Sequence, residues 1–384
     1  MSRVLLVAAE ASSALYAQRL LELWKRQKTS IEVFGVGSEQ MEALGFERFG
    51  KSEEMAVVGA AEVIEHYSHL KAVFHRLLKA AEEKKPDVAV LMDYPDFNLM
   101  LAKKLKKMGI PVVYYISPQV WAWRKGRIHK IKKYCDKVLV LFPFEMKFYQ
   151  EYQVPCEFVG HPLLDEVEDS IRDDKSRQMY RGRCGIQEDD IVVGLMPGSR
   201  RGEIQQHLQI QLEVARRLYA SHPRVKVLLM CAPTVDKESL QEQLGDYRFP
   251  LILQKEDPAN MIQLADVILA ASGTATLLVG LLEKPMVIMY KMKWLTGLVA
   301  KVVVRGVKYF GLVNLVMGRE IVPERWQSGT HPDVLYGLMK KYLDEPEYRE
   351  KVIEDLRQLR QHLGNKGATV RVAQALAPYL QGNR

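Results

Sequence analysis

Two turns in this sequence combine the residue types that hold phosphate, and a third carries a carboxylate suited to proton transfer. In "LMPGSRRGEI" (residues 195–204), Pro197 and Gly198 make the turn; Ser199, Arg200 and Arg201 precede a helix starting near Glu203. Backbone N–H groups and the positive end of a helix favour an anion, and a guanidinium adds charge-assisted hydrogen bonds. The same residues also fit an ordinary turn closed by an N-cap serine. "AASGTATLL" (residues 270–278) repeats the arrangement with Ser272, Gly273 and Thr274, which offer N–H groups and two hydroxyls. Together the two turns are expected to form a nucleotide diphosphate site. In "LMDYPDFNLM" (residues 91–100), Asp93 ends an apolar run and Asp96 precedes a helical one. A carboxylate at a strand end can take a proton from a hydroxyl nucleophile, although two helix-capping aspartates fit the same spacing.

Other loops are less specific. "YISPQVWAWRKGRIHK" (residues 115–130) sets Trp121 and Trp123 beside Arg124 and Lys125, a mix that suits a sugar face, a lipid head group or another helix. In "FVGHPLLDE" (residues 158–166), Gly160, His161 and Pro162 make a turn whose histidine is either a cleft residue or a structural one. "VLLVAAEASSALYAQ" (residues 4–18) reads as strand, loop and helix, the usual shape of a phosphate loop, yet no glycine occurs before Gly35. No Walker A, GxGxxG, HExxH or DxD pattern is present. The motifs point away from an ATPase, a dehydrogenase or a metalloenzyme. They suggest an enzyme that holds a nucleotide diphosphate by one domain and a second substrate by the other, with sugar transfer the best fit.

These loops need strands to carry them. The first half alternates apolar runs ("RVLLVAA", "IEVFGVG", "PDVAVLMD", "PVVYYIS", "KVLVLFP", "CEFVG") with helical segments. The second half does the same with "IVVGLMPGS", "VKVLLMCAP", "FPLILQ", "ADVILAAS" and "PMVIMY". Near-continuous apolar strands with helical crossovers imply parallel sheets covered on both faces. The expectation is an α/β protein with two doubly wound domains, residues 1–167 and 168–384. Its ligands should bind at the C-terminal strand ends, in the cleft between the domains. The charged stretch "DEVEDSIRDDKSRQMYRGRCG" is the expected linker, and two amphipathic helices close the chain. Val63, Tyr67, Leu70, Phe74 and Leu77 form one apolar helical stripe, for core packing or for contact outside the fold.

With 384 residues, 48% of them hydrophobic and 27% charged, the composition is that of a soluble globular protein. No apolar run is long enough for a membrane span, and the first residues lack a signal-peptide layout, so a cytoplasmic location is expected. Cys135, Cys156, Cys184 and Cys231 are scattered and read as buried thiols rather than zinc ligands or disulfides. The formal charge of +8 suggests an anionic partner. Basic residues cluster in "RKGRIHKIKK" (residues 124–133). In "KMKWLTGLVAKVVVRGVKYF" (residues 291–310) they interleave with aromatic and aliphatic residues, as at a membrane surface or on a solvated helix face.

The ordered set "FGVGSEQM", "MAVVGAAEV", "DYPDFN", "YYISPQVWAWRKGRI", "LVLFPFE", "YQVPCEFVGHPL", "MPGSRRGEI", "ASGTATL" and "GLVNLVMGREIVPE" resembles the lipid-A-disaccharide synthase family, inverting glycosyltransferases of GT-B fold. The resemblance runs from about residue 34 to 327. It implies two Rossmann-like domains facing across a cleft and, without a cofactor or bound metal, transfer of 2,3-diacylglucosamine from UDP to the 6-hydroxyl of 2,3-diacylglucosamine 1-phosphate (lipid X). It further implies peripheral association with the inner membrane of a Gram-negative cell, no nucleic-acid partner and a possible homodimer. By motif, Asp93 corresponds to the general base, with Glu10 and Ser12 retained from the family's first loop as catalytic candidates. Ser199, Arg200, Glu203, Ser272, Gly273 and Thr274 correspond to the UDP site, and Asn314, Glu320 and Pro323 to a segment near the cleft. Two departures stand out. Ala9, Ser13 and Ala14 replace two glycines and an aspartate of the family's first loop, and Leu278 replaces a glutamate that binds ribose in related enzymes. Glu283 is no substitute, because five helical positions turn it by about 140°. A divergent paralogue with altered substrates or a binding-only role therefore stays open, as does a UDP-sugar epimerase.

Overall fold

The computed structural model describes residues 1–55, 63–118, 120–121, 126–167, 174–232, 235, 237–244, 249–254, 257–292 and 308–380. The chain forms two compact units: Met1–Asp165 with the chain from Leu363 onward, and Glu166–His362.

The first unit is built on β1 (Ser2–Ala8), β2 (Ile31–Gly37), β3 (Glu47–Lys51), β4 (Val88–Met92), β5 (Val112–Tyr115), β6 (Lys137–Val140) and β7 (Cys156–Phe158). All pair in parallel, in the order β3-β2-β1-β4-β5-β6-β7. Val4 to Ala8 and Val88 to Met92 have no exposed surface, as expected of strands covered by helices on both faces. The chain works outward from β1 to β3, then returns to lay β4 on the other side of β1. Ala8 consequently pairs with Met92, and the loops after these strands become neighbours.

The second unit repeats the plan with β8 (Ile191–Met196), β9 (Val225–Met230), β10 (Leu251–Gln254), β11 (Val267–Ala271), β12 (Met286–Tyr290) and β13 (Glu324–Trp326). Their order is β10-β9-β8-β11-β12-β13, again parallel throughout. Met196 pairs with Ala270, so the two turns read as phosphate sites are adjacent at the reversal point of this sheet. That is where doubly wound sheets bind their ligands.

Three features correct the sequence reading. β3 and β13 are additional strands; both are short, charged edge strands without an apolar run. Half of the expected linker is the helix Asp174–Arg183, fastened to the second unit. Arg177 pairs with Asp266 at 2.6 Å, and Arg181 donates to the carbonyls of Gln187 and Asp190. The closing helix Ala368–Leu380 belongs to the first unit rather than the second. Arg371 donates to Val159 O at 2.7 Å, Asp165 accepts Gly367 N–H at 2.5 Å, and Ser2 Oγ donates to Leu380 O at 2.5 Å. Gly160 (φ +80°) makes room for this contact, since a Cβ there would lie 2.5 Å from Arg371.

Cys135 and Cys231 are buried while Cys156 and Cys184 are half-buried, all free thiols. Among the described residues no helix is long and apolar enough to cross a membrane.

Candidate active site

Asp93 follows β4 in a turn that sequence alone does not announce. Asp93 (φ +52°) and Tyr94 (φ +43°) are both left-handed, and Ile116, just past β5, is a third such residue (φ +58°). Non-glycine residues held there cost about 1–3 kcal/mol each and persist only when their surroundings over-determine them. Here they do. Asp93 N–H donates to Ile116 O at 3.1 Å, and Ile116 N–H donates to Leu139 O. Asp93 O accepts from Tyr114 Oη at 2.6 Å and from Asn98 Nδ2 at 2.7 Å. Asp93 Oδ1 accepts Tyr94 N–H at 3.0 Å, which orients the half-buried carboxylate at the strand end. Tyr94 in turn donates its hydroxyl to Met55 O at 3.0 Å. Burial raises its pKa, and the charges of Glu10 and Asp96 add to the shift, placing Glu10 in the field of this turn.

Glu10 is the N-cap of the helix Ala11–Arg26, with ordinary extended dihedrals (φ −107°, ψ 153°). No residue from Ala8 to Ala14 has positive φ, so this loop has no need of glycine. Buried Ser13 closes it by accepting Glu10 N–H at 3.1 Å and donating to Glu10 O at 2.8 Å. Ser12 is half-buried at the same helix start, and Ala14 points into the core.

Beside the Asp93 turn lies a cavity of about 490 Å³ between the helices Val63–Lys84 and Pro95–Lys107. Leu70, Phe74, Tyr94, Phe97 and Met100 give it apolar walls, and Lys71, His75 and Asp96 edge it. The expected stripe therefore divides: Leu77 is fully buried, whereas Leu70 and Phe74 face the cavity. The side chains of Val63 and Tyr67 lie outside the described residues, as do Trp123, Arg124, Lys125 and residues 293–307. From the basic run, Arg127 is buried and bonded to Asp96 at 2.5 Å; His129, Lys130, Lys132 and Lys133 form an exposed face. His161 is structural. It is 1% exposed, accepts Leu163 N–H on Nδ1, contacts the rings of Tyr16 and Phe142, and has its pKa pushed down by burial to about 3.

In the second unit, Gly198 (φ +128°) brings Glu203 close to the turn; a Cβ there would lie 2.7 Å from Glu203 Oε2. Glu203 accepts Ser199 N–H at 3.2 Å and stands 3.9 Å from Arg200, the N-cap of the helix Arg201–Ser221. Glu203 is thus a support of the turn. Ser199 and Arg200 are exposed, as are Gly273 and Thr274 at the start of the helix Thr274–Leu281. Ser272 N–H donates to Met289 O, tying this turn to β12. The buried face of the Arg201–Ser221 helix braces both turns. His207 Nδ1 meets Pro197 O at 2.8 Å while Nε2 accepts Lys291 N–H at 3.0 Å. One helical turn on, Gln211 Nε2 donates to Met196 O and Leu269 O.

Asn314 is no surface ligand group. It is fully buried, donates to Val322 O and Glu324 Oε2, and accepts from Ile321 N–H and Val322 N–H. Pro323 O accepts Ile288 N–H, so this segment is held against β12. Glu320 stays exposed beside Arg325. Glu324, without a role in the sequence reading, collects Phe310 N–H, Gly311 N–H and Asn314, and burial raises its pKa.

A family profile described as lipid-A-disaccharide synthetase matches residues 4–377. The chain belongs to this family. The lipid-A-disaccharide synthase of Anaeromyxobacter dehalogenans is 38% identical over 373 residues, 97% of this chain and 96% of that protein. That of Myxococcus xanthus is 35% identical over 383 residues, 100% of this chain and 98% of that protein. Family membership makes the chain a glycosyltransferase, and solved structures share its GT-B-type fold. A UDP-GlcNAc 2-epimerase from Neisseria meningitidis bound to UDP-GlcNAc superposes with TM-score 0.67 at 13% identity, covering 98% of this chain and all of that one. MurG of Acinetobacter baumannii superposes with TM-score 0.60 at 14% identity, with the same coverage. At that identity the likeness shows the fold alone, and the whole-chain family match outweighs the epimerase reading.

Within the family, the departures now have a physical setting. Leu278 is 7% exposed on an apolar helix, and Glu283, at φ +59° past the helix end, accepts from Arg357. The supports that sequence reasoning missed are Tyr94, Asn98, Tyr114, Glu145, His207, Gln211 and Glu324. Only Glu145 carried a local signal, as a glutamate two residues after a helix-opening proline, where it can accept the N-cap N–H.

Proposed function

We propose that the chain joins UDP-2,3-diacylglucosamine to 2,3-diacylglucosamine 1-phosphate, with Asp93 as the general base. The observation that carries this is the Asp93 carboxylate, fixed at the reversal point of the first sheet beside an apolar cavity. Asp93 takes the proton of the acceptor 6-hydroxyl while that oxygen bonds to the anomeric carbon of the donor. The bond from that carbon to the diphosphate breaks, its electron pair leaves with UDP, and the configuration inverts. Arg200, Ser199, Ser272, Gly273 and Thr274 hold the diphosphate. The guanidinium and the two helix starts at residues 201 and 274 match the charge that the diphosphate already carries in the bound donor. Glu10 and Ser12, beside the Asp93 turn, orient the acceptor, and Glu203 and Asn314 keep the donor-side loops in place. Glu320 is an exposed polar group of that segment, beside exposed Arg319.

The cavity suits an acyl chain: its volume lies within the roughly 300–1,000 Å³ of small-molecule sites, and its walls are aliphatic and aromatic. Exposed Lys103, Lys104 and Lys107 on one helix, and Lys130, Lys132 and Lys133 on another, support docking on an anionic membrane surface at its cytoplasmic side. The test is incubation of pure protein with both substrates, following the disaccharide 1-phosphate. Turnover is expected. Binding of the acceptor without any product would instead make the chain a binding homologue.

A further inference from the structure

We propose that Glu145 is a positioning residue for the Asp93 turn, acting through Trp121 and the loop that follows β5. This rests on Asp93 being the base assigned above. Glu145 lies at the start of the helix Pro143–Glu151 and is 4% exposed. Its Oε1 accepts Trp121 Nε1–H at 3.1 Å; its Oε2 accepts Phe142 N–H at 3.1 Å and Leu141 N–H at 3.2 Å. Every one of these partners is a donor, so the position calls for a group that only accepts, as an ionised carboxylate does. An apolar residue would strand three N–H groups. Burial opposes the charge and pushes the Glu145 pKa up to about 7, with the three donors pulling it back down. Its three hydrogen bonds tie the buried carboxylate at once to Trp121, Phe142 and Leu141.

What it holds is the loop carrying Ile116 to Trp121. The next turn of the same helix adds Tyr149, whose hydroxyl donates to Ser117 Oγ at 2.7 Å. Phe144 packs edge-on against the Trp121 ring, with centroids 5.2 Å apart. The loop is thus pinned at Ser117 and at Trp121, immediately beyond left-handed Ile116, whose carbonyl accepts Asp93 N–H. A β-branched residue at that φ relaxes toward ordinary dihedrals once its flank is released. Relaxation would withdraw the carbonyl that fixes Asp93. Glu145 touches no substrate in this scheme; it preserves the direction in which the Asp93 carboxylate points.

Glu145→Gln tests this, because the amide keeps the shape yet turns one acceptor into a donor facing N–H groups. Hydrogen–deuterium exchange should quicken in peptides covering residues 93–98 and 114–121 and stay at the wild-type rate in β1 and β8. Under the reading above, kcat should fall about 10- to 100-fold, the range for a misdirected catalytic group, while KM for the UDP donor changes less than twofold. Trp121→Phe, which removes the N–H together with part of the ring, should produce the same exchange and kcat changes, and the double variant should be no worse than either alone. Unchanged exchange at residues 93–98 in a folded Glu145→Gln protein overturns the proposal whatever the activity does. So do losses in the two variants that multiply. If wild-type protein shows no turnover, the base assignment falls by itself, and the exchange result still decides what Glu145 positions.

Discussion

The strand-end loops of the two sheets solve different problems with different backbone chemistry. In the first unit the turn after β4 is built from left-handed residues that are not glycine, Asp93 and Tyr94, stitched to Ile116, Tyr114 and Asn98. In the second unit the turn after β8 uses a glycine at φ +128° and leaves Ser199 and Arg200 exposed at a helix start. On the proposed function the first turn carries a proton-transfer group, which must point one way and so needs an over-determined turn. A diphosphate spreads its charge over several oxygens, so N–H groups and a guanidinium at a helix end suffice, and strain serves no purpose. The first region should govern kcat and the second should govern donor binding.

The largest expected effect comes from removing the proposed base. Asp93→Asn keeps the shape of the turn and should lower kcat about 10³-fold, within the range of general-base catalysis, with KM for the donor little changed. A comparable rise in KM would show that Asp93 binds rather than reacts. Next, Arg200→Ala should raise donor KM or Kd about 10- to 100-fold, the loss of a charge-assisted bond worth about 1.5–3 kcal/mol, while the acceptor binds as before. If kcat fell instead, the division of labour between the two regions would be wrong.

A smaller effect tests the edge of the donor region. Leu278 is 7% exposed, so Leu278→Glu places a carboxylate among apolar neighbours and should cost about 2 kcal/mol, read as a lower Tm without tighter donor binding. A gain in donor affinity would show that this helix face opens onto the ribose after all. An effect of similar size, read through its pH dependence, concerns the rigidity of the first region. The buried His161 ring stays neutral down to about pH 3, whereas in the unfolded chain it takes up a proton below its ordinary value of 6.5. Its contribution is therefore fully present above pH 6.5 and lost as the pH falls, at about 1.4 kcal/mol per pH unit. The stability gap between wild type and His161→Gln should narrow at that rate in denaturant titrations between pH 6 and 4. A gap independent of pH would mean that the ring is protonated in place.

Much of this was legible in the residues themselves, for identifiable reasons. β1, β4, β8 and β11 are buried on both faces and read as unbroken apolar runs. β3 and β13 are edge strands whose charged sequences, "ERFGK" and "ERW", carry no such run. The missing glycines of the first loop signified less than they suggested, because Glu10 enters its helix in an extended conformation that any residue adopts. Ser13, placed where the family has a glycine, supplies the hydroxyl that caps the turn. Asn314 illustrates the opposite case. Motif position placed it near a ligand, whereas its amide is consumed by four bonds to its own segment.

The sequence by itself determined the parallel α/β class, the turns that end the strands, and the family, since apolar period, turn residues and ordered motifs are local properties of the chain. The tertiary structure alone decided which loops are neighbours, because strand order is a non-local choice that no periodicity encodes. It laid β4 against β1, which sets Asp93 beside the Glu10 loop, and β11 against β8, which makes the turns that follow these two strands neighbours. It also decided the backbone sign at Asp93, Tyr94 and Ile116, since a strained φ survives only where distant hydrogen bonds hold it. The return of the last helix to the first unit is of the same kind, resting on Arg371, Asp165 and Ser2, residues far apart in the chain.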